Sequence, residues 1–317
     1  MSPAPEGEVL PPHTDATHDH PIPDYEREVS RPNSRERGWN FLATPGTYIL
    51  LGINIAVFCY MIFRGVSPSS PTPGQLLYFG ATNTEFILHG QWYRLLTATF
   101  VHVGLIHIAT NMWCLWNLGL LGEPLLGPFG LIAVYVITGV AGNLLGLCSN
   151  VVFRDYSSVG AGASGAVFGI AGILIVLLSN KKLPIPAFEL NRLRRSVIQF
   201  AVLNLIIGIG ANFTSIVRID NHAHIGGFLS GLALGVPLVP RMTSGRARYL
   251  ARQKITFAAA AFLLFLFAQI MIDADIMLSF VLAQVQNFKR AVVFIFCLQL
   301  PLHADHALTC CVDSKLP

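Results

Sequence analysis

Apolar positions along the chain fall into long blocks separated by short polar segments. A bilayer's hydrocarbon is crossed by about 20 apolar residues. Blocks at 48–63, 104–121, 131–148, 161–178, 196–213, 222–239 and 255–272 are therefore expected as membrane-spanning helices. Residues 64–103 break this rhythm. They hold Pro and Ser clusters and then Gly90-Gln91-Trp92-Tyr93-Arg94. Such a semi-apolar, aromatic stretch suits a segment lying at the membrane interface. After the seventh block, 277–282 and 291–300 are apolar but short, separated by Gln284, Gln286, Asn287, Lys289 and Arg290. They are either an eighth crossing or an interfacial tail.

Composition reinforces this pattern. The 317 residues are 53% hydrophobic and 12% charged, with a mean hydropathy of +0.57. A soluble domain carries about 25% charged residues. The chain lacks the charge to cover a globule, so the fold class is an all-α polytopic membrane protein. Residues 1–44 are polar and rich in Pro, His, Glu and Arg, and are expected as a disordered tail. His13, His18 and His20 lie in that tail. The six cysteines show no CxxC or zinc-type spacing, so neither a disulfide framework nor a cysteine metal site is expected.

The basic residues orient the spans. Lys181, Lys182, Arg192, Arg194 and Arg195 lie between the fourth and fifth blocks. Arg241, Arg246, Arg248, Arg252 and Lys254 lie between the sixth and seventh, and Arg27, Arg31, Arg35 and Arg37 precede the first. The opposite loops hold Arg64, Arg94, Arg154 and Arg218. By the positive-inside rule the amino terminus is expected in the cytoplasm.

The run Gly160-Ala161-Gly162-Ala163-Ser164-Gly165 leads straight into the fourth block. Alone, such a run is a surface for close helix packing. Polar residues elsewhere in the spans add chemistry, because they are expensive at membrane depth. His107 and Asn111 are four apart and share a helical face; His102 lies just before them. The sixth block opens with His222-Ala223-His224. The alternation of spans puts His102, His107, Ser164 and His224 near the same outer face. Gly227, Gly231 and Gly235 recur every four residues, as do Gly165 and Gly169. If those faces meet, Ser164 and His224 come within reach. A serine needs a base to take its proton, and His224 is the candidate. An oxyanion needs donors already aimed at it; His107, Asn111 and the Ser164 amide are the candidates.

These residues resemble the rhomboid family of intramembrane serine proteases. The likeness covers roughly residues 48–239. It rests on Trp92-Tyr93-Arg94, on His102, His107 and Asn111, on Gly162-Ala163-Ser164-Gly165, and on Ala223-His224-Ile225-Gly226-Gly227, in that order. The resemblance implies a six-helix rhomboid-like bundle with a seventh carboxy-terminal helix. It implies a Ser164–His224 dyad without a carboxylate and oxyanion stabilisation by His107 and Asn111. It implies cleavage of transmembrane protein substrates with no cofactor, no metal and no nucleic acid. Gly119 and Glu123 look like the family's pair at the inner end of the second helix, where Glu123 is expected to be structural. Phe168 stands where many relatives carry Tyr. The expected layout is a tail at 1–44, a catalytic membrane domain at 45–240, a basic loop and extra helix at 241–273, and a tail at 274–317. The localisation expected is the cell membrane, with the site opening to the extracytoplasmic side. Two other readings stay open: a catalytically silent relative that binds membrane clients, and a metal transporter using His102, His107, His222 and His224.

Overall fold

The computed structural model describes residues 44–181, 183, 185–213, 221–239 and 245–299. Residues 1–43 of the expected tail, with His13, His18 and His20, and the segment 300–317 lie outside the described residues. The described chain is mostly helical. Its helices are α1 (Pro45–Phe63), α2 (Pro73–Tyr78), α3 (Thr84–Leu88), α4 (Arg94–Thr97), α5 (Leu105–Phe153), α6 (Ser164–Leu177), α7 (Ala187–Phe213), α8 (Asn221–Leu238) and α9 (Arg246–Gln299). Two short strands, β1 (Thr82–Asn83) and β2 (Val159–Gly160), pair antiparallel. Among the described residues, α1, α5 and residues 246–290 of α9 are long and apolar enough to cross a membrane. This is an integral membrane protein.

The second and third apolar blocks are the two limbs of α5. The break falls at Gly127, whose φ of 76° only glycine adopts readily, between Pro124 and Pro128. The limbs double back on one another. Both Leu105 and Asn150, near opposite ends of α5, bond to the 64–104 segment. Carbonyls beside such a break lose their helical partners. Those of Leu125 and Leu126 accept instead from the Tyr249 hydroxyl and the Gln253 amide of α9, at 3.1 and 2.8 Å.

The 64–104 segment forms only short helices, as its mixed polarity predicts. Thr72 and Gln75 close a capping box on α2. Arg94 is buried, and its guanidinium donates to the Leu77 and Ala81 carbonyls at 2.7 and 2.9 Å. It ties the segment together from inside, while Trp92 is exposed.

Several boundaries differ from the expected ones: α7, for one, starts at Ala187, nine residues before the fifth block. The fourth block yields a 14-residue helix beginning at Ser164, because residues 159–162 are drawn into the β1–β2 pair and a glycine turn. The seventh block extends into one 54-residue helix that absorbs 277–282 and 291–299. No glycine or proline occurs between Arg246 and Gln299, so nothing in the chain interrupts it. Helix α9 contacts the α5 break through Gln253 and the loop before Ser164 through Asp275, which accepts from the Tyr156 hydroxyl at 3.4 Å. The interval 253–275 rises about 33 Å, close to the ~30 Å hydrocarbon thickness.

Three helices pack tightly around the centre: the second limb of α5, α6 and α8. Glycines allow it. A methyl group added at Gly227 would strike the Gly165 carbonyl, and one at Gly231 the Gly169 carbonyl. One at Gly142 would lie 2.5 Å from the Ala223 carbonyl oxygen. The two glycine faces expected to meet do meet. Among the third of that series, Gly235 faces the Val176 side chain instead of a glycine.

Candidate active site

Ser164 is the first residue of α6 and is half-buried. The chain reaches it through Gly160, paired with Thr82, and through Gly162, whose amide donates to the Ala98 carbonyl at 2.9 Å. Gly162 has φ +136°, and a Cβ there would lie 2.5 Å from His107 Cε1. Conformation and space both demand glycine at that position. Ala163 caps α6 without a side-chain hydrogen bond. The first amides of the helix are therefore not taken by a cap, and they carry the positive end of the helix dipole.

His224 lies in the first turn of α8 and is buried. Its ring stacks on Phe168, with centroids 4.5 Å apart and planes 15° from parallel. Its Nδ1 has no hydrogen-bond partner among the described residues. The ring is thus oriented by an aromatic face and not by a third polar group. Gly165, next to Ser164, packs on the Ala223 carbonyl, next to His224; a Cβ on Gly165 would lie 3.3 Å from that oxygen. Backbones adjoining the two residues are in contact. Among the described residues no hydrogen bond joins Ser164 to His224. Catalytic hydrogen bonds of this kind are often long without substrate and tighten when it binds.

The His107 ring sits over Gly162, two residues before Ser164. The Val103 amide donates to His107 Nδ1 at 3.5 Å, which leaves the ring proton on Nε2. Asn111 donates one amide hydrogen to the His107 carbonyl at 2.8 Å. A carboxamide has a second N–H. His102 is fully buried, 5.4 Å from the His107 ring centre, with Nδ1 3.2 Å from the Phe100 carbonyl oxygen. The structure therefore places His107 beside Gly162, two residues before Ser164, with His102 against its ring and Asn111 one turn further along the same helix. His222 stands apart: its Nδ1 is 3.1 Å from the Ser149 hydroxyl and its ring faces Phe153 at 6.4 Å. Among the described residues, no three of His, Cys, Asp and Glu are grouped so as to hold a metal ion.

Glu123 does structural work at the other end of the bundle. Its carboxylate accepts from the Gly46 and Thr47 amides at 2.8 and 2.7 Å and from the Thr47 hydroxyl at 2.7 Å. It caps the N-terminus of α1. Gly119 makes room for Thr47, whose Cγ2 would lie 2.6 Å from an added Cβ.

A buried polar knot escapes sequence reasoning. The Tyr135 hydroxyl sits between Asn54 and the Thr99 carbonyl, at 3.0 and 3.1 Å. It ties α1, α5 and the loop before the site together. Asn54 is the sole strongly polar side chain in the first block, and that is the signal that marks it.

A helical membrane bundle that brings a hydroxyl, an imidazole and further amide and imidazole donors together defines a class of candidate hydrolases. Residues 89–241 match the Rhomboid domain. Over 209 residues the chain is 30% identical to rhomboid protease AarA of Providencia stuartii, covering 61% of this chain and 72% of the relative. It is 32% identical over 191 residues to rhomboid-like protease 2 of Toxoplasma gondii, covering 59% and 63%. Against rhomboid protease GluP of Bacillus subtilis (strain 168), it is 34% identical over 196 residues, covering 60% of this chain but 35% of that longer relative. The chain belongs to the rhomboid family.

Proposed function

We propose that this protein is an intramembrane serine endopeptidase that cleaves transmembrane protein substrates with a Ser164–His224 dyad. The observation that carries the reading is the packing of α6 on α8. Gly165 against Ala223 and Gly227 against Gly165 bring the two helix starts together, and Phe168 holds the imidazole flat. A packing surface alone requires neither the half-buried serine at the helix start nor the stacked histidine.

The chemistry follows. His224 takes the Ser164 hydroxyl proton as the oxygen attacks a peptide carbonyl. The oxyanion that forms accepts from the His107 Nε2–H, the second Asn111 N–H and the Ser164 amide. The imidazolium returns its proton to the leaving amine, and water then hydrolyses the acyl-enzyme. No cofactor enters these steps. A helical substrate hides its carbonyls in hydrogen bonds, so it must unwind locally before attack. Substrates with small residues at the cut and helix-weakening residues beside it fit this requirement.

A 14-residue α6 rises about 21 Å, less than the ~30 Å hydrocarbon thickness. Its serine end is thus recessed below one face. With the basic segments cytoplasmic, that face is the extracytoplasmic side of the cell membrane. The layout proposed is a tail at 1–44, a catalytic domain at 45–240 and a carboxy-terminal part from 241, in which α9 runs on past residue 273 to Gln299.

The test is cleavage of a transmembrane reporter in proteoliposomes, with the cut mapped by mass spectrometry. Ser164→Ala and His224→Ala are expected to abolish cleavage while the protein stays folded, and a fluorophosphonate is expected to label Ser164. Full cleavage by either variant refutes the dyad.

A further inference from the structure

We infer that Asn83 is a positioning residue for the Ser164 segment: its carboxamide clamps the chain entering α6 while capping α3. This inference rests on the proteolytic reading above. The chain between α5 and α6 is irregular, and Arg154 opens it in the left-handed region at φ 57°. Its backbone carbonyls have no helical partners of their own. Residues 82–84 provide partners instead. Asn83 Nδ2 donates to the Tyr156 carbonyl at 3.0 Å and to the Ser158 carbonyl at 3.4 Å. Thr82 Oγ1 donates to the Gly160 carbonyl and accepts from its amide, at 3.0 and 3.1 Å. Thr84 Oγ1 reaches the Asp155 carbonyl at 3.5 Å.

Asn83 is the member with two jobs. It is buried, with 7% exposure. Its Oδ1 points the other way and accepts from the Phe86 amide at 3.1 Å, capping α3. Its backbone sits opposite Val159 in the strand pair. From Val159 the chain runs five residues to Ser164, held on the way at Gly160 by Thr82 and at Gly162 by the Ala98 carbonyl. Misplacing a reacting group by about 1 Å can lower a rate by about 10²-fold. A loosened strand therefore reaches Ser164 directly.

The two jobs separate chemically. Aspartate caps helices as well as asparagine, so Asn83→Asp keeps the acceptor for Phe86. It removes both donors and sets a carboxylate oxygen against two carbonyls. The experiment compares wild type, Asn83→Asp and Thr82→Val in proteoliposomes. It measures the rate of fluorophosphonate labelling at Ser164, kcat and KM on the reporter, and backbone hydrogen exchange across residues 156–162. Asn83→Asp is expected to keep the KM of wild type, to label and turn over about tenfold or more slower per folded molecule, and to exchange faster across 156–162. Thr82→Val leaves the cap untouched and is expected to shift labelling and exchange the same way, which keeps the test decisive should Asn83→Asp not fold. Wild-type labelling, kcat and exchange in these variants overturn the assignment. If the wild type itself neither labels nor cleaves, the proteolytic reading fails, and exchange alone then decides the clamp: retained protection across 156–162 refutes it.

Discussion

The imidazole of His224 lies on the phenyl ring of Phe168, nearly parallel and 4.5 Å from it. The ring nitrogen Nδ1 has no polar partner among the described residues, so the aromatic face is what fixes the imidazole plane. Stacked aromatic pairs contribute about 0.5–1.5 kcal/mol beyond burial, which corresponds to a factor of about 2–12 in rate. Phe168→Leu, which keeps an apolar filler but removes the face, is expected to lower reporter kcat by that factor with KM unchanged. Phe168→Tyr restores the face and is expected to match wild type. Equal turnover by Phe168→Leu would remove the ring from this role.

Gly231 has no room for a side chain, because a Cβ there strikes the Gly169 carbonyl. Gly52, in the middle of α1, has nothing within 4 Å of an added Cβ. Overpacking costs about 1–3 kcal/mol, whereas replacing an unconstrained helical glycine by alanine gains about 0.5–1 kcal/mol. Gly231→Ala is expected to lower the melting temperature of the purified protein in detergent, and Gly52→Ala to raise it. Shifts of the same sign would show that packing against α6 does not set the requirement at Gly231.

Which of these features the sequence discloses depends on whether they repeat locally. The four-residue spacing of Gly227 and Gly231 is readable, and so is its match to Gly165 and Gly169. Family likeness marks Glu123 as structural, but its pairing with the start of α1 is not readable, since 77 residues separate it from Gly46. The Asn83 clamp leaves no trace in hydropathy, because one asparagine in a mixed-polarity stretch has no period. The reach of α9 was hidden for another reason. Hydropathy falls at Asp273 and Asp275, but no glycine or proline follows before Gln299, and α9 runs on through them.

Glu123 is buried, and its carboxylate gathers three donors from Gly46 and Thr47. Glu123→Gln keeps the shape but replaces one acceptor oxygen by a donor facing another donor. Hydrogen bonds to charged groups contribute about 1.5–3 kcal/mol, and a loss of that order is expected in chemical unfolding of the detergent-solubilised protein. The site lies at the other end of the bundle, so the folded fraction is expected to label at Ser164 at the wild-type rate. Slower labelling per folded molecule would give Glu123 a part in the site that its position does not suggest.

In the proposed reaction, His107 and Asn111 offer hydrogens to a charge that exists only after attack. The Val103 amide holds His107 Nδ1 as the acceptor and so leaves Nε2–H as the donor. Asn111 uses one amide hydrogen on the His107 carbonyl within its own helix and has a second to give. An interaction made only in the transition state lowers kcat and kcat/KM together when removed. Losing one oxyanion donor typically lowers turnover by about 10²–10³-fold. His107→Ala and Asn111→Ala are each expected to show that loss in reporter kcat, with KM close to wild type. A rise in KM at constant kcat would instead make them substrate-binding residues. Unchanged turnover in both would leave the helix amides at Ser164 as the only donors for the oxyanion.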